Sequence, residues 1–121
     1  MGSLFSKEER KISKINIKNL YQSGTRIYGE HLIIFWKYID PSVSKLTQIL
    51  ISVPKKNIKK AVDRNYTKRI IREAYRINKP GITHLLNKPI EVIIKYNKTT
   101  VPEFNKLETE LLNLLNDDSF K

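Results

Sequence analysis

The stretch KKNIKKAVDRNYTKRIIREAYRINK, residues 55–79, constrains this chain more than any other. It carries ten Lys or Arg, at positions 55, 56, 59, 60, 64, 68, 69, 72, 76 and 79, against two acids, Asp63 and Glu73. At about 100° per residue, Arg64, Asn65, Lys68, Arg69, Arg72 and Arg76 fall within one helical arc of about 140°. Ile70, Ile71 and Ala74 fall opposite. The segment is therefore expected to be a helix with an apolar back and a cationic front. Solvated helix faces usually mix Glu with Lys, and like charges at i,i+4 repel. A stripe of one sign suits a polyanion better than it suits water. Nucleic acid is the expected ligand, ahead of a merely solubilising role.

The rest of the charge agrees. The 121 residues, enough for one domain with one modest core, carry 23 Lys/Arg against 12 Asp/Glu. Residues 101–121 hold two Lys/Arg and five Asp/Glu, which leaves 21 against 7 in residues 1–100. A basic body with an acidic tail fits RNA or DNA. An anionic membrane is the competing partner, but no run approaches the roughly 18 apolar residues of a spanning helix, and no hydrophobic signal region opens the chain. The cytoplasm is the expected location. With no cysteine there is no disulfide, thiolate nucleophile or thiolate metal ligand.

Taken in order, residues 1–12 read as an N-terminal arm. Ile17, Leu20 and Tyr21 at i, i+3, i+4 predict a helix over roughly 13–23, with Gly24 at a left-handed cap. Thr25–Tyr28 reads as a short strand with a bend at Gly29. Residues 31–39, 47–53 and 90–96 are rich in β-branched and aromatic residues and read as strands. Pro54 ends the pairing of the second of these. Asp40-Pro41-Ser42 marks a turn, and 43–46 a loop. Asn78-Lys79-Pro80-Gly81 is expected to stop the basic helix, with a turn of helix inside 82–88. Thr100 is expected to cap a last helix, with Pro102 in its first turn and Glu103 at the capping-box position. The stripe Phe104, Leu107, Leu111, Leu114 and Leu115 is expected to pack onto the sheet. The order predicts one α/β layer pair in which a strand–helix–strand unit carries the basic helix.

No catalytic constellation accompanies these elements. His31 and His84 lie far apart without metal-ligand spacing, and the acids of residues 1–100 are too scattered for two-metal phosphodiester chemistry. No serine sits in a nucleophile turn, and four glycines form no phosphate loop. By itself the chain reads as a binder. Tyr21, Tyr28, Phe35, Trp36, Tyr38 and Tyr96 lie on or beside the sheet and first helix, some available for base stacking and others core. Alternation puts Ile33, Phe35 and Lys37 on one face and Ile34, Trp36 and Tyr38 on the other; either face could be the open one.

Residues 51–76, ISVPKKNIKKAVDRNYTKRIIREAYR, resemble the signature region of the bacterial ribonuclease P protein subunit. Lys60, Ala61, Val62, Arg64, Asn65, Lys68, Arg69, Arg72 and Glu73 match in place. Phe5-x-Lys7-x-x-Arg10 is similar to the family's N-terminal arm, and Leu20-Tyr21-x-x-Gly24 to the end of its first helix. Tyr66 stands where that family has a second arginine, Pro54 for the usual Ser, and Ile17 at a position often Phe. One extra residue lies between Lys56 and Ala61. Tyr96 is the nearest counterpart of a last-strand arginine.

The resemblance implies an α+β fold: a mostly antiparallel four-stranded sheet in one layer, packed with about three helices. A β-α-β crossover carries the basic helix, as in ribosomal-protein-like α-β sandwiches. It also implies a role, in which a catalytic RNA removes the 5′ leader of precursor tRNA with magnesium held by the RNA. The protein binds that RNA and the leader, with no cofactor or metal of its own and no protein partner required. Lys60, Arg64, Asn65, Lys68, Arg69, Arg72 and Arg76 would contact RNA, flanked by Lys55, Lys56 and Lys59. Ile17, Tyr21, Tyr28 and Phe35 would line the leader cleft. The alternative is a ribosomal or general RNA-binding protein. A helix-turn-helix DNA binder would need a helix where 47–53 reads as strand.

Overall fold

Apolar residues at period two and at period 3.6 translate into four strands and three helices. In the computed structural model, which describes residues 14–40, 42, 47–85 and 89–116, they follow in the expected order. These are α1 (Lys14–Ser23), β1 (Thr25–Tyr28), β2 (Leu32–Tyr38), β3 (Gln48–Ser52), α2 (Ala61–Leu85), β4 (Ile90–Tyr96) and α3 (Phe104–Leu115). The arm expected at 1–12, with Phe5, Lys7 and Arg10, and the loop at 43–46 lie outside the described residues.

The strands form one sheet in the order β1-β2-β4-β3. β1 with β2 and β2 with β4 are antiparallel; β3 and β4 are parallel neighbours, joined through α2. The sheet is thus mostly antiparallel, with the basic helix on the crossover.

Ile27, Leu32, Ile34, Trp36, Ile49, Val92, Ile94 and Tyr96 face one side and build the main core with Ile71, Ala74 and Tyr75 of α2 and Leu107, Leu111, Leu114 and Leu115 of α3. Each fully buried leucine of that α3 stripe is worth about 1.5–3 kcal/mol, which accounts for its docking on the sheet.

The other side is also covered in part, so the expected pair of layers is corrected. Leu20 of α1 packs on Phe35 and Ile93 there, with Ile17, Tyr21, Ile33 and Leu50 around them. The physical reason lies in the two central strands. β4 is buried at six of seven positions, and a strand apolar on both faces needs cover on both.

Three local expectations are also corrected. Gly24 ends α1, with its N–H donating to the Leu20 carbonyl at 2.9 Å, but not in a left-handed conformation. Close approach demands the glycine: a Cβ there would lie 2.6 Å from the Leu20 oxygen and 3.2 Å from that of Trp36.

The basic helix does not stop at 78–81 but runs through Pro80 to Leu85. Proline removes one backbone donor, and tertiary contact holds the helix over that position. The Asn78 amide donates to the Ala74 carbonyl and to Glu108 of α3, at 2.8 and 2.9 Å.

Thr100 does not cap α3. The cap position is Glu103, without a side-chain cap bond, and Pro102 precedes the helix. The Thr100 carbonyl instead accepts the Tyr96 hydroxyl, which fixes the link between β4 and α3 in a non-helical course.

Candidate RNA interface

The basic helix begins from a constrained turn. Pro54 ends β3, and its carbonyl accepts the N–H groups of Asn57 and Ile58 at 3.0 and 3.2 Å. Ile58 is buried, and the Asn57 amide donates to the Tyr96 carbonyl at 3.1 Å. This pins the turn to the end of β4 while Lys55, Lys56, Lys59 and Lys60 stay exposed. Arg64 closes the turn from inside α2, its guanidinium donating to the carbonyls of Ile58 and Lys59 at 3.1 and 2.7 Å.

Along α2, Thr67, Ile71, Ala74 and Tyr75 face the core. Asn65 and Arg69 are exposed; Arg64, Lys68, Arg72 and Arg76 are half-buried. The stripe is therefore displayed as expected, with two qualifications. Arg64 also serves the turn, and Arg76 is ion-paired with Glu73. That hydrogen bond lowers the Glu73 carboxyl below its ordinary value and raises the Arg76 guanidinium above its own. Of the predicted cations, Lys55, Lys56, Lys59, Lys60, Lys68, Arg69 and Arg72 have no such second commitment in the described contacts.

The second surface is the α1 side of the sheet, where the strand register places residues in rows. Tyr28, Ile33, Lys95 and Ser52 form one row across all four strands. Arg26, Phe35, Ile93 and Leu50 form the next. Ile17 and Tyr21 of α1 stand over the second row, so the four predicted cleft residues do come together, but in different states.

Tyr28 is 66 % exposed, whereas Phe35 is only 7 % exposed. Phe35 lies under Tyr21 in an edge-to-face pair with centroids 4.8 Å apart. It is a floor for the cleft and offers no free ring face for a base. Tyr21 and Ile17 are half-buried walls. Trp36, Tyr38 and Tyr96 face the opposite side of the sheet, so Tyr96 takes no part in this surface.

Two cations here were not singled out from the sequence. The Arg26 guanidinium lies 5.5 Å from the Phe35 ring centroid and donates to the Tyr21 carbonyl at 2.7 Å. The Lys95 ammonium lies 5.9 Å from the Tyr21 ring. Strand alternation alone would have put both on the Phe35 face; knowing that this face was the open one required the helix positions.

The two surfaces meet. Lys95 precedes Tyr96, the residue to which the basic turn is tied, and Ser52 in the same row leads through Val53 and Pro54 into that turn. A strand lying over Tyr28 and Lys95 arrives at Lys55–Lys60 and then at α2. Its polyanionic backbone would meet an exposed aromatic ring near its start, then Lys95, then the cations of the turn and helix. Glu91, buried in the next row beyond Phe35 and Ile93, faces the same side at the opposite end of the cleft.

Among the described residues, no group of three or more His, Asp or Glu stands together in a way that could hold a metal ion. None of the helices there is long and apolar enough to cross a membrane. His31 contacts Glu110 of α3 at 2.8 Å and belongs to the joint between α3 and the β1–β2 hairpin, away from the cleft.

Comparison with known proteins agrees with this architecture. The family model described as Ribonuclease P matches residues 5–117. The ribonuclease P protein component of Chlorobium phaeobacteroides is 31 % identical over 114 residues, covering 84 % of this chain and 78 % of that protein. That of Geotalea uraniireducens is 30 % identical over 111 residues, covering 92 % and 91 %. Among solved structures, the RNase P protein of Staphylococcus aureus superposes with a TM-score of 0.76 at 20 % identity, covering 95 % of this chain and 100 % of that one. The protein from Thermotoga maritima gives 0.72 at 23 %, covering 89 % and 96 %. At those identities the structures speak for the fold, and the sequence matches speak for descent. With a cationic helix on a β-α-β crossover and the match running nearly end to end, this chain belongs to the ribonuclease P protein family.

Proposed function

We propose that this chain is the RNA-binding subunit of ribonuclease P and that it works in the cytoplasm on precursor tRNA. In this reading α2 and the 55–60 turn bind folded ribonuclease P RNA through its phosphates, and the Tyr21–Tyr28–Lys95 surface holds the 5′ leader. Hydrolysis of the phosphodiester belongs to the RNA, with magnesium held by RNA oxygens.

The observation that carries the reading is the junction of the two surfaces at the end of β4. One strand can run from an aromatic cleft onto a cationic helix on the side away from Glu91. Lys and Arg on phosphates release counterions, and aromatic rings accept unpaired bases of any sequence. Together these suit a leader of variable sequence attached to a folded RNA.

Cleavage of precursor tRNA in magnesium by the chain together with its cognate RNA, compared with each alone, tests this. The pair should cleave at the mature 5′ end with a lower KM than the RNA alone, and the chain alone should not cleave. Cleavage by the purified chain without RNA, or a KM unchanged by adding it, would overturn the proposal.

A further inference from the structure

The solvent side of α2 is split lengthwise. One half is the cationic arc from Arg64 to Arg69. The other half carries exposed apolar side chains, Val62 at 77 %, Tyr66 at 44 % and Ile77 at 49 %, together with the half-buried acids Asp63 and Glu73, the latter ion-paired with Arg76. Val62 and Tyr66 are one turn apart at i,i+4; Val62 borders Asn65 and Tyr66 borders Arg69, each at i,i+3. Tyr66 precedes Arg69 by about 4.5 Å along the axis and about 60° around it. Ile70, next along the Val62–Tyr66 row, turns inward against the core, so Tyr66 stands on a fixed apolar base.

An aromatic ring held in water beside a pure phosphate-binding arc has a specific chemical partner. The bases of an RNA strand project to the side of its phosphates. A phosphate seated on Arg69 would bring its own base, or the next, within reach of the ring, with Val62 as an apolar shelf beneath. Base–aromatic stacking gains affinity without displacing counterions, whereas a cation at this position would gain affinity by displacing one. Tyr66 stands where the family resemblance would place an arginine. The substitution therefore exchanges one kind of RNA contact for another, rather than deleting one.

We infer that Tyr66 is a stacking residue for an unpaired nucleobase of RNA bound along α2, which makes the basic helix a mixed phosphate-and-base reader. The inference rests on the RNA-binding reading of α2. Its distinguishing property is that stacking leaves the salt dependence of binding untouched.

The test measures log K against log salt for the full chain, with a ribonuclease P RNA transcript and, separately, with precursor tRNA. Tyr66→Ala should weaken binding by about 5- to 150-fold, the span of one stacked base, along a line parallel to the parent's. Tyr66→Phe should restore binding, since the ring face is retained. Tyr66→Arg should steepen the slope by about 0.7–0.9, one added phosphate contact. Whichever RNA shows the loss is the one that donates the base, and loss with either supports the inference.

Arg69→Ala serves as the reference and should flatten the slope. If it does, and Tyr66→Ala binds both RNAs like the parent or Tyr66→Phe binds as weakly as Tyr66→Ala, stacking is overturned while the helix remains an RNA binder. If no variant changes either slope or affinity, the RNA reading of α2 falls, and the inference with it. Thermal melting of each variant confirms that an exposed ring was removed without unfolding.

Discussion

Two rings of the cleft that look equivalent in the sequence are predicted to behave oppositely. Phe35 is enclosed by Leu20, Tyr21 and Ile93. Phe35→Ala should cost about 3–5 kcal/mol of folding stability, seen as a lower melting temperature and an equal loss of every binding function. Tyr28 is exposed on the cleft's first row, and Tyr28→Ala should leave melting nearly unchanged. It should weaken binding of precursor tRNA with a leader by about 1–3 kcal/mol, and binding of mature tRNA hardly at all.

A third ring, Tyr96, gives a pH prediction. Burial first, and the Glu110 charge second, raise its phenol above the ordinary 10.0. Below about pH 10 both folded and unfolded chains keep the proton and the hydroxyl keeps its bond to Thr100. Above that value the unfolded chain loses the proton first, so stability should fall until the folded value is passed. Denaturant titrations at rising alkaline pH should show this limb, and Tyr96→Phe should flatten it.

At the scale of elements, α2 does two jobs that its sequence presents as one. Replacing Lys68 and Arg72 by Ala should weaken RNA binding and flatten the salt slope by roughly two units, with folding intact. Adding Arg64→Ala should do more, because Arg64 also holds the Ile58 and Lys59 carbonyls. Hydrogen bonds from charged groups contribute about 1.5–3 kcal/mol, so the triple variant should melt earlier than the double. Pro80→Ala should restore a missing helix donor and raise stability by up to about 3 kcal/mol without lengthening the helix.

These cases show what the sequence made legible. Strands 32–38 and 90–96 follow from their β-branched and aromatic content, and the leucine stripe of α3 and the outward face of α2 from helical period. The end of α2 is not legible in the sequence, because Pro80 is a local stop signal overruled by a contact thirty residues away, Asn78 to Glu108. The open face of the sheet was illegible because Phe35 and Trp36 are equally apolar neighbours. Arg26 and Lys95 became part of the cleft only once α1 was placed.

At the scale of the whole molecule, β4 is the strand on which everything converges. It pairs with β2 on one side and β3 on the other, both of its faces are packed, and the basic turn is fastened to its last carbonyl. Glu110 of α3 adds a second fastening at the same end. It accepts the backbone N–H groups of His31 and Leu32 at 2.8 and 2.7 Å. Glu110→Ala should strand those half-buried donors at about 1–3 kcal/mol, read as a lower denaturant midpoint. Gly29→Ala should be destabilising too, since a Cβ there would meet Glu110 at 2.5 Å and Leu114 at 2.9 Å.

The central place of β4 also orders events during synthesis. A ribosome delivers β1, β2, β3 and all of α2 before it delivers the strand that joins them. Residues 1–88, made alone, should show no cooperative melting, because β2 and β3 are not neighbours in the sheet. The nascent chain therefore exposes its ten Lys and Arg of residues 55–79 as an unshaped polycation, at a site crowded with RNA. Only when residue 96 and α3 behind it emerge does the charge acquire a fixed surface. By the order of its strands, this chain gains its appetite for RNA earlier than its discrimination among RNAs.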